Sequence, residues 1–236
     1  SARRKVSHDS RLDGLIAFWK LEEATGTRVD CIGSRDLTPQ NSPSNASGKI
    51  GEALSLNGTN QYLSRASDSS LNLSSAITFS MWVYHPETGH QRAVAMWEDN
   101  ATSDRNYWIG IKDTNPDEYL FKVNRETGNE TVTSTVSTGV NVWKHMMAWY
   151  DPTVTTNGTI YISVNNETPQ SNSIDSPLEI NTDSEFWVGR AADTYWDGRI
   201  DALGIYNKVL SDETRTLIYN SGRGWQPTNL GSYVGT

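Results

Sequence analysis

Apolar and polar positions alternate with a period of two along most of this chain, the pattern of strands that turn one face inward. The clearest run is residues 76–84, which places Ile77, Phe79, Met81 and Val83 on one face and Thr78, Ser80, Trp82 and Tyr84 on the other. The first set reads as core and the second as a wet or aromatic face. Similar runs predict strands over residues 15–21, 53–56, 61–63, 92–97, 106–111, 119–123, 130–136, 142–150, 159–164, 185–190 and 199–206. Between 53–56 and 61–63 stands Asn57-Gly58, a pair that suits a tight hairpin turn because both residues tolerate positive φ. Residues 24–51 carry Thr-Gly, Ile-Gly and Ser-Pro breakers and read as loop.

Helical signals occur once. Ser211 is an N-cap, Asp212 and Glu213 suit the first turn, and Gly222 lies just past the end, which predicts a helix over 212–219. A dozen short strands, no repeat and no linker predict one all-β domain over residues 14–222, an antiparallel two-sheet jelly-roll sandwich with a short C-terminal helix. Residues 1–13 read as an extended arm and 223–236 as a patternless tail.

Composition narrows the function classes. A net charge of −8 opposes nucleic-acid binding, which needs a basic footprint. No apolar run of about 18 residues occurs, so no membrane insertion is expected, and the start of the chain lacks the apolar stretch of a signal peptide. A single cysteine, Cys31, leaves no internal disulfide framework. The seven Asn-x-Ser/Thr triplets, in so polar a chain, read as turn chemistry.

Nine Trp and ten Tyr against four Phe suit either a core with polar handles or a surface that stacks on sugars. A sugar site wants a flat apolar ring for C–H groups and converging acceptors for hydroxyls. Tyr195 and Trp196 stand between Asp193 and Asp197 beside a glycine, Trp97 precedes Glu98-Asp99-Asn100, and His90-Gln91-Arg92 leads into the strand of Trp97. For Tyr195 and Trp196 two readings stand: ligand contact, or packing against the sandwich edge.

Catalytic patterns are weak. Adjacent acids such as Glu98-Asp99 and Asp117-Glu118 point to opposite faces of a strand, so neither pair can act as nucleophile and acid together. No Gly-x-Ser-x-Gly elbow or His-x-x-x-His spacing exists, and Cys31 has no local histidine. His145, mid-strand between Trp143 and Met147, reads as a buried and satisfied histidine.

Four ordered motifs carry a family resemblance. They are Phe18-Trp-Lys-Leu-Glu-Glu23, Gly51-Glu-Ala-Leu-Ser-Leu-Asn-Gly-Thr-Asn-Gln-Tyr-Leu63, Val142-Trp-Lys-His-Met-Met-Ala-Trp-Tyr-Asp151 and Trp196-Asp-Gly-Arg-Ile-Asp201, the last running on through Tyr206-Asn207 to Leu210-Ser211. Together they resemble the laminin G-like, concanavalin A-type jelly-roll family, over about residues 14–222. The resemblance implies a non-catalytic carbohydrate- or surface-binding module with a glycan or polysaccharide partner. It also implies a structural Ca2+ held by Glu22, Asp30 and Asp201, against which Glu22 and Asp30 read as a solvated loop and Asp201 as a turn acceptor. A ligand-facing calcium site similar to the pentraxin branch would use Asn60 and Asp193. Here Ala191 and Ala192 stand where that branch carries Glu and Gln, so most of that cage is missing. The Glu-x-Asp-x-x-Glu strand of the related glucanases is absent.

The expectation is therefore a lectin-like module with ligand residues Tyr195, Trp196, Asp193, Asp197, Asn60 and Trp97, on a virion surface or outside the cell. The alternative is a structural component of a phage particle, a decoration or fibre protein that meets other capsid proteins through residues 1–13 and the C-terminal tail and binds no glycan.

Overall fold

The computed structural model describes residues 9–87, 89–98, 105–112 and 117–227. Within them two antiparallel sheets pack face to face. The first contains β1 (Leu15–Trp19), β3 (Ser44–Ser47), β4 (Glu52–Asn57), β6 (Ile77–Tyr84), β11 (Lys144–Asp151), β12 (Thr159–Val164), β13 (Gln170–Ser173) and β17 (Asp197–Tyr206). The second contains β2 (Thr38–Gln40), β5 (Tyr62–Arg65), β7 (Gln91–Trp97), β8 (Arg105–Lys112), β9 (Glu118–Arg125), β10 (Gly128–Ser137) and β14 (Phe186–Val188). A two-residue ladder, β15 (Arg190–Ala191) with β16 (Thr194–Tyr195), forms a small hairpin beside β7. This is the antiparallel jelly-roll sandwich that the alternation predicts.

Strand order in the first sheet is β13-β12-β11-β6-β17-β4-β3, and in the second β10-β9-β8-β7-β14-β5-β2. One edge of β17 pairs with β6. The other edge pairs with β4 through Asp197–Ile200 and with β1 through Leu203–Tyr206. A bulge at Ala202, whose φ of 50° is left-handed, divides the two halves.

Inward-facing residues of both sheets form one core, including Trp19, Leu54, Phe79, Tyr107, Phe121, Ile162, Phe186 and Trp196. The outer face of the first sheet is also covered. The helix α1 (Asp212–Tyr219) lies over it, started by Ser211, whose Oγ accepts from the Thr214 N–H, and ended by Asn220 in the left-handed region at φ 51°. Beneath it Trp82, Met147, Trp149 and Tyr206 form a second apolar layer. The expected wet face of β6 is therefore buried at Thr78, Ser80 and Trp82, and only Tyr84 is half-exposed.

Three further expectations change. The Asn57-Gly58 turn does not close a hairpin, because β4 belongs to one sheet and β5 to the other. It is a corner between sheets, held by Asn57 Oδ1, which accepts from the N–H groups of Thr59, Asn60 and Gln61. Residues 24–51 contain β2 and β3, and 165–185 contain β13, all short polar strands. The packed body also extends past 14–222: Leu12 packs on the second apolar layer, Arg11 lies 5.0 Å over the Trp225 ring, and Trp225 meets Phe18 edge-on at 5.8 Å. The remaining arm and tail, 1–8 and 228–236, lie outside the described residues.

Candidate functional site

The outer face of the second sheet differs from that of the first. Alternation along β8 turns Tyr107, Ile109 and Ile111 to the core and Trp108 and Lys112 outward, and along β9 it turns Leu120 and Lys122 outward. With Trp97 on β7 these residues line a groove of about 420 Å³, whose remaining walls include His90, Arg92 and Arg105. Gly110 permits the close approach of β7, since a side chain there would collide with the Gln91 carbonyl.

Cations sit over rings throughout this groove. The Arg92 guanidinium lies 3.3 Å from the Trp108 ring centre, Arg105 5.4 Å from that of Trp97, and Lys122 5.9 Å from both. Arg92 also donates to the Ile111 carbonyl at 3.3 Å. The two tryptophans are consequently only 6 % and 4 % exposed, their faces occupied by protein cations.

A second hollow of about 320 Å³ adjoins the first and shares His90 with it. It is walled by the Asn57–Gly58–Thr59 corner, Glu87, Gln91, Tyr195 and Asp197. β17 opens at Asp197, paired with Asn57, which brings the carboxylate beside the corner, and the Asp197 N–H donates to Gln91 Oε1 at 3.1 Å. Burial, and then the nearby Glu87 carboxylate, push the Asp197 carboxyl above its usual pKa.

The residues expected from the sequence separate into four situations. Tyr195 and Asp197 line this hollow. Trp97 lies in the neighbouring groove. Asp193 and Asn60 line neither: Asp193 is exposed and pairs with Arg190 at 3.9 Å, while Asn60 Oδ1 accepts from Asn57 Nδ2 to close the corner. Trp196 requires correction. It is 0 % exposed, packs edge-on against His85 at 5.9 Å and donates from Nε1 to the Tyr84 carbonyl, so it offers no face to a ligand. The period-two rule explains this, since Tyr195 and Trp196 point to opposite sides. Tyr195 itself belongs to a small cage, with Tyr62 and Trp187, around the Arg190 guanidinium.

Sequence reasoning missed Trp108, Arg105, Lys112, Lys122 and Glu87. The alternation of Trp108 with Lys112 and of Leu120 with Lys122 was the available signal. His145 is buried as expected, with Nε2 3.0 Å from Ser80 Oγ, and desolvation lowers its pKa to about 3.

The expected metal residues also divide. Asp30 is not available to an ion: Oδ1 accepts from the Phe18 and Ile32 N–H groups and Oδ2 from that of Arg35, which ties the first loop to β1. Asp201 and Glu22 do come together. Asp201 is fully buried, and Oδ2 accepts from the N–H groups of Lys49 and Ile50 at 2.7 and 2.9 Å. Its Oδ1 has no hydrogen-bond partner, and neither has the buried Oε1 of Gln226, whose Nε2 reaches Glu22 at 3.3 Å. Burial and then the Glu22 charge raise the Asp201 pKa to about 7. Glycines stand close against both carboxylates, since a side chain at Gly48 would stand 2.7 Å from Asp201 Oδ2 and one at Gly51 would strike Glu22. No cluster of three or more His, Cys, Asp or Glu side chains suited to a metal exists among the described residues. No helix among them is long and apolar enough to cross a membrane.

Comparison with known proteins agrees with this architecture. The family model Laminin_G_3, described as concanavalin A-like lectin/glucanases superfamily, matches residues 57–214. The binding domain of Paraclostridial Mosquitocidal Protein 1 superposes with a TM-score of 0.69 at 16% identity, over 90% of this chain and 53% of that one. Domain 4 of AbnA, a GH43 extracellular arabinanase from Geobacillus stearothermophilus, in complex with arabinotriose, superposes at 0.59 with 21% identity, over 89% and 98%. The binding domain of Botulinum Neurotoxin DC in complex with SialylT gives 0.66 at 13% identity, over 89% and 52%. The chain thus spans about half the length of the toxin domains it matches. These likenesses concern the fold. No curated protein sequence is significantly similar to this chain.

Proposed function

Because this chain belongs to the concanavalin A-like lectin/glucanases superfamily, which offers both binding and hydrolytic roles, we propose that it is a non-catalytic carbohydrate-binding module. The observation that carries the reading is a pair of adjoining hollows, one on the outer face of the second sheet and one at the Asn57–Thr59 corner beside it. The hollow at the corner supplies what saccharides need: a half-buried ring at Tyr195 and carboxylates at Glu87 and Asp197 to accept from hydroxyls. Domains of similar fold that carry arabinotriose and SialylT support it. A place outside the cell is supported by the arabinanase, which is extracellular.

Glu87 and Asp197 are read as acceptors, not as an acid and nucleophile, because Glu87 is exposed on a loop with no described side chain holding its carboxylate in place. The glycan-free assembly reading, and display on a virus particle, rest on residues 1–13 and 223–236, of which 1–8 and 228–236 lie outside the described residues; nothing in the packed body favours them.

A structural calcium forms a second part of the proposal, at Asp201 and Glu22 with the Gln226 amide oxygen and without Asp30. Support comes from Asp201 Oδ1 and Gln226 Oε1, two buried acceptors without hydrogen-bond partners, the second on a side chain whose Nε2 reaches Glu22. Hard cations take such mixed sets of carboxylate, amide and carbonyl oxygens.

The test is a panel of plant, bacterial and animal saccharides, assayed for binding and for release of reducing ends. Binding lost in Tyr195→Ala and Asp197→Asn, with no new reducing ends, is the expected result. A folded protein that binds no saccharide would end the lectin reading, and cleavage would end its non-catalytic part.

A further inference from the structure

The two carboxylates at the corner hollow come from different segments. Asp197 opens β17, while Glu87 lies in the crossing of residues 85–90 that carries the chain from β6 in one sheet to β7 in the other. Asp197 is pinned by its pairing with Asn57 on β4. Glu87 is exposed and belongs to no strand, so its place beside Asp197 needs another cause.

Gln91 supplies one. It is the first residue of β7 and only 4 % exposed. Its Nε2 donates to the Glu87 carbonyl at 3.1 Å, and its Oε1 accepts from the Asp197 N–H at 3.1 Å. A carbonyl on one side and an N–H on the other demand a side chain that both donates and accepts. A glutamate of the same length could accept from Asp197 but not donate to Glu87, and a methionine could do neither. The Glu87 carbonyl also lies 2.7 Å from Nδ1 of the fully buried His85, which ties the crossing to its own start. Gln91 ties it to β17.

We infer that Gln91 is the positioning residue of the corner hollow, holding the crossing against β17 so that Glu87 and Asp197 act as one pair of acceptors for neighbouring saccharide hydroxyls. This rests on the carbohydrate reading above and adds the residue that sets the spacing of its acceptors. With both ends of its amide taken by backbone, Gln91 acts through the two carboxylates and not on the ligand itself. Burial first, and then the Glu87 charge, raise the Asp197 pKa, so the spacing can be read from how strongly Asp197 feels Glu87.

The experiment is a titration cycle on the full chain, without ligand and at low ionic strength, that follows the Asp197 side-chain carboxyl by carbon NMR. The proteins are wild type, Glu87→Gln, Gln91→Met and the double variant. Glu87→Gln should lower the Asp197 midpoint in wild type, and that fall should shrink by at least about half when Gln91 is replaced, because the freed crossing carries the charge away. An equal fall in both backgrounds would overturn the inference, since His85 would then hold the crossing by itself. Circular dichroism and melting confirm folding, and Gln91→Glu, which keeps the length and the Asp197 contact, is the second background if Gln91→Met does not fold. Affinity is then measured for arabinotriose, SialylT and the other panel saccharides. One that wild type binds should bind at least about tenfold more weakly to the folded Gln91 variant. Unchanged affinity with lost coupling would also overturn the positioning role. Binding of no saccharide by folded wild type would end the carbohydrate reading, whereas the cycle, read without ligand, still decides whether Gln91 holds the pair.

Discussion

The rings of Trp82 and His145, cross-strand partners on β6 and β11, lie 4.9 Å apart, and Tyr219 of the helix covers both at 5.8 and 5.7 Å. The imidazole is sealed between sheet and helix with Ser80 as its near polar neighbour, so it folds only in the neutral form.

Stability should accordingly fall in mild acid. The folded pKa of His145 is depressed to about 3 from 6.5, so the unfolded state takes up a proton first. Its contribution is complete above pH about 6.5 and declines as pH falls from there toward about 3. One such group costs about 2 kcal/mol between pH 7.5 and 5. His85, also lowered by burial, acts in the same direction. Urea unfolding at the two pH values measures this, and His145→Gln should flatten the dependence. A wild-type protein equally stable at both would refute the assignment.

Trp196→Ala should act on stability and not on recognition. Removing a fully buried indole between the sheets costs about 3–5 kcal/mol. Denaturant midpoints and saccharide affinity, measured on the same preparation, separate the two effects. Lost affinity at unchanged stability would contradict the buried placement.

Calcium should raise the melting temperature of wild type and leave Asp201→Asn unmoved. At a hundredfold excess over Kd, binding adds about 2.7 kcal/mol. Without calcium, the variant should be as stable as wild type or more so, since it removes a buried charge beside Glu22. Asp30→Asn should still respond to calcium, although its first loop loosens. Superimposable wild-type melts in calcium and in chelator would remove the ion from the account.

Deleting residues 1–13 should destabilise the domain by about 1–3 kcal/mol, because Leu12 and the Arg11–Trp225 contact leave with it. Thermal melting decides this, and an unchanged midpoint would show that the segment adds nothing to the packed body.

The strands and the helix were legible because each carries its own period. Residues 77–84 alternate, and the helix is bracketed by Ser211, Asp212 and Glu213 at its start and Gly222 past its end, with Asn220 as the cap itself. What was hidden depends on partners distant in sequence. β2, β3 and β13 are polar because they lie at or near sheet edges and bury little. The burial of Thr78, Ser80 and Trp82 is decided by a helix more than a hundred residues later. Asn57-Gly58 has the local form of a hairpin, yet the crossing between sheets is set by β17 and β14. Of the candidate site, Tyr195 and Asp197 were visible as a loop pair, whereas the groove over β7 to β10 assembles residues from four strands.

The position of β17 bears on biosynthesis. β1, β4 and β6 all pair with this one strand, which runs from residue 197 to 206. Until residue 206 clears the ribosome, the nascent chain holds three ladders that lack their common partner. The sandwich can therefore close only once residue 206 has emerged, and it closes slowly, as long-range pairings dominate it. Truncation upstream of 197 would release unpaired apolar edges for chaperones or aggregates, not a smaller version of the sandwich.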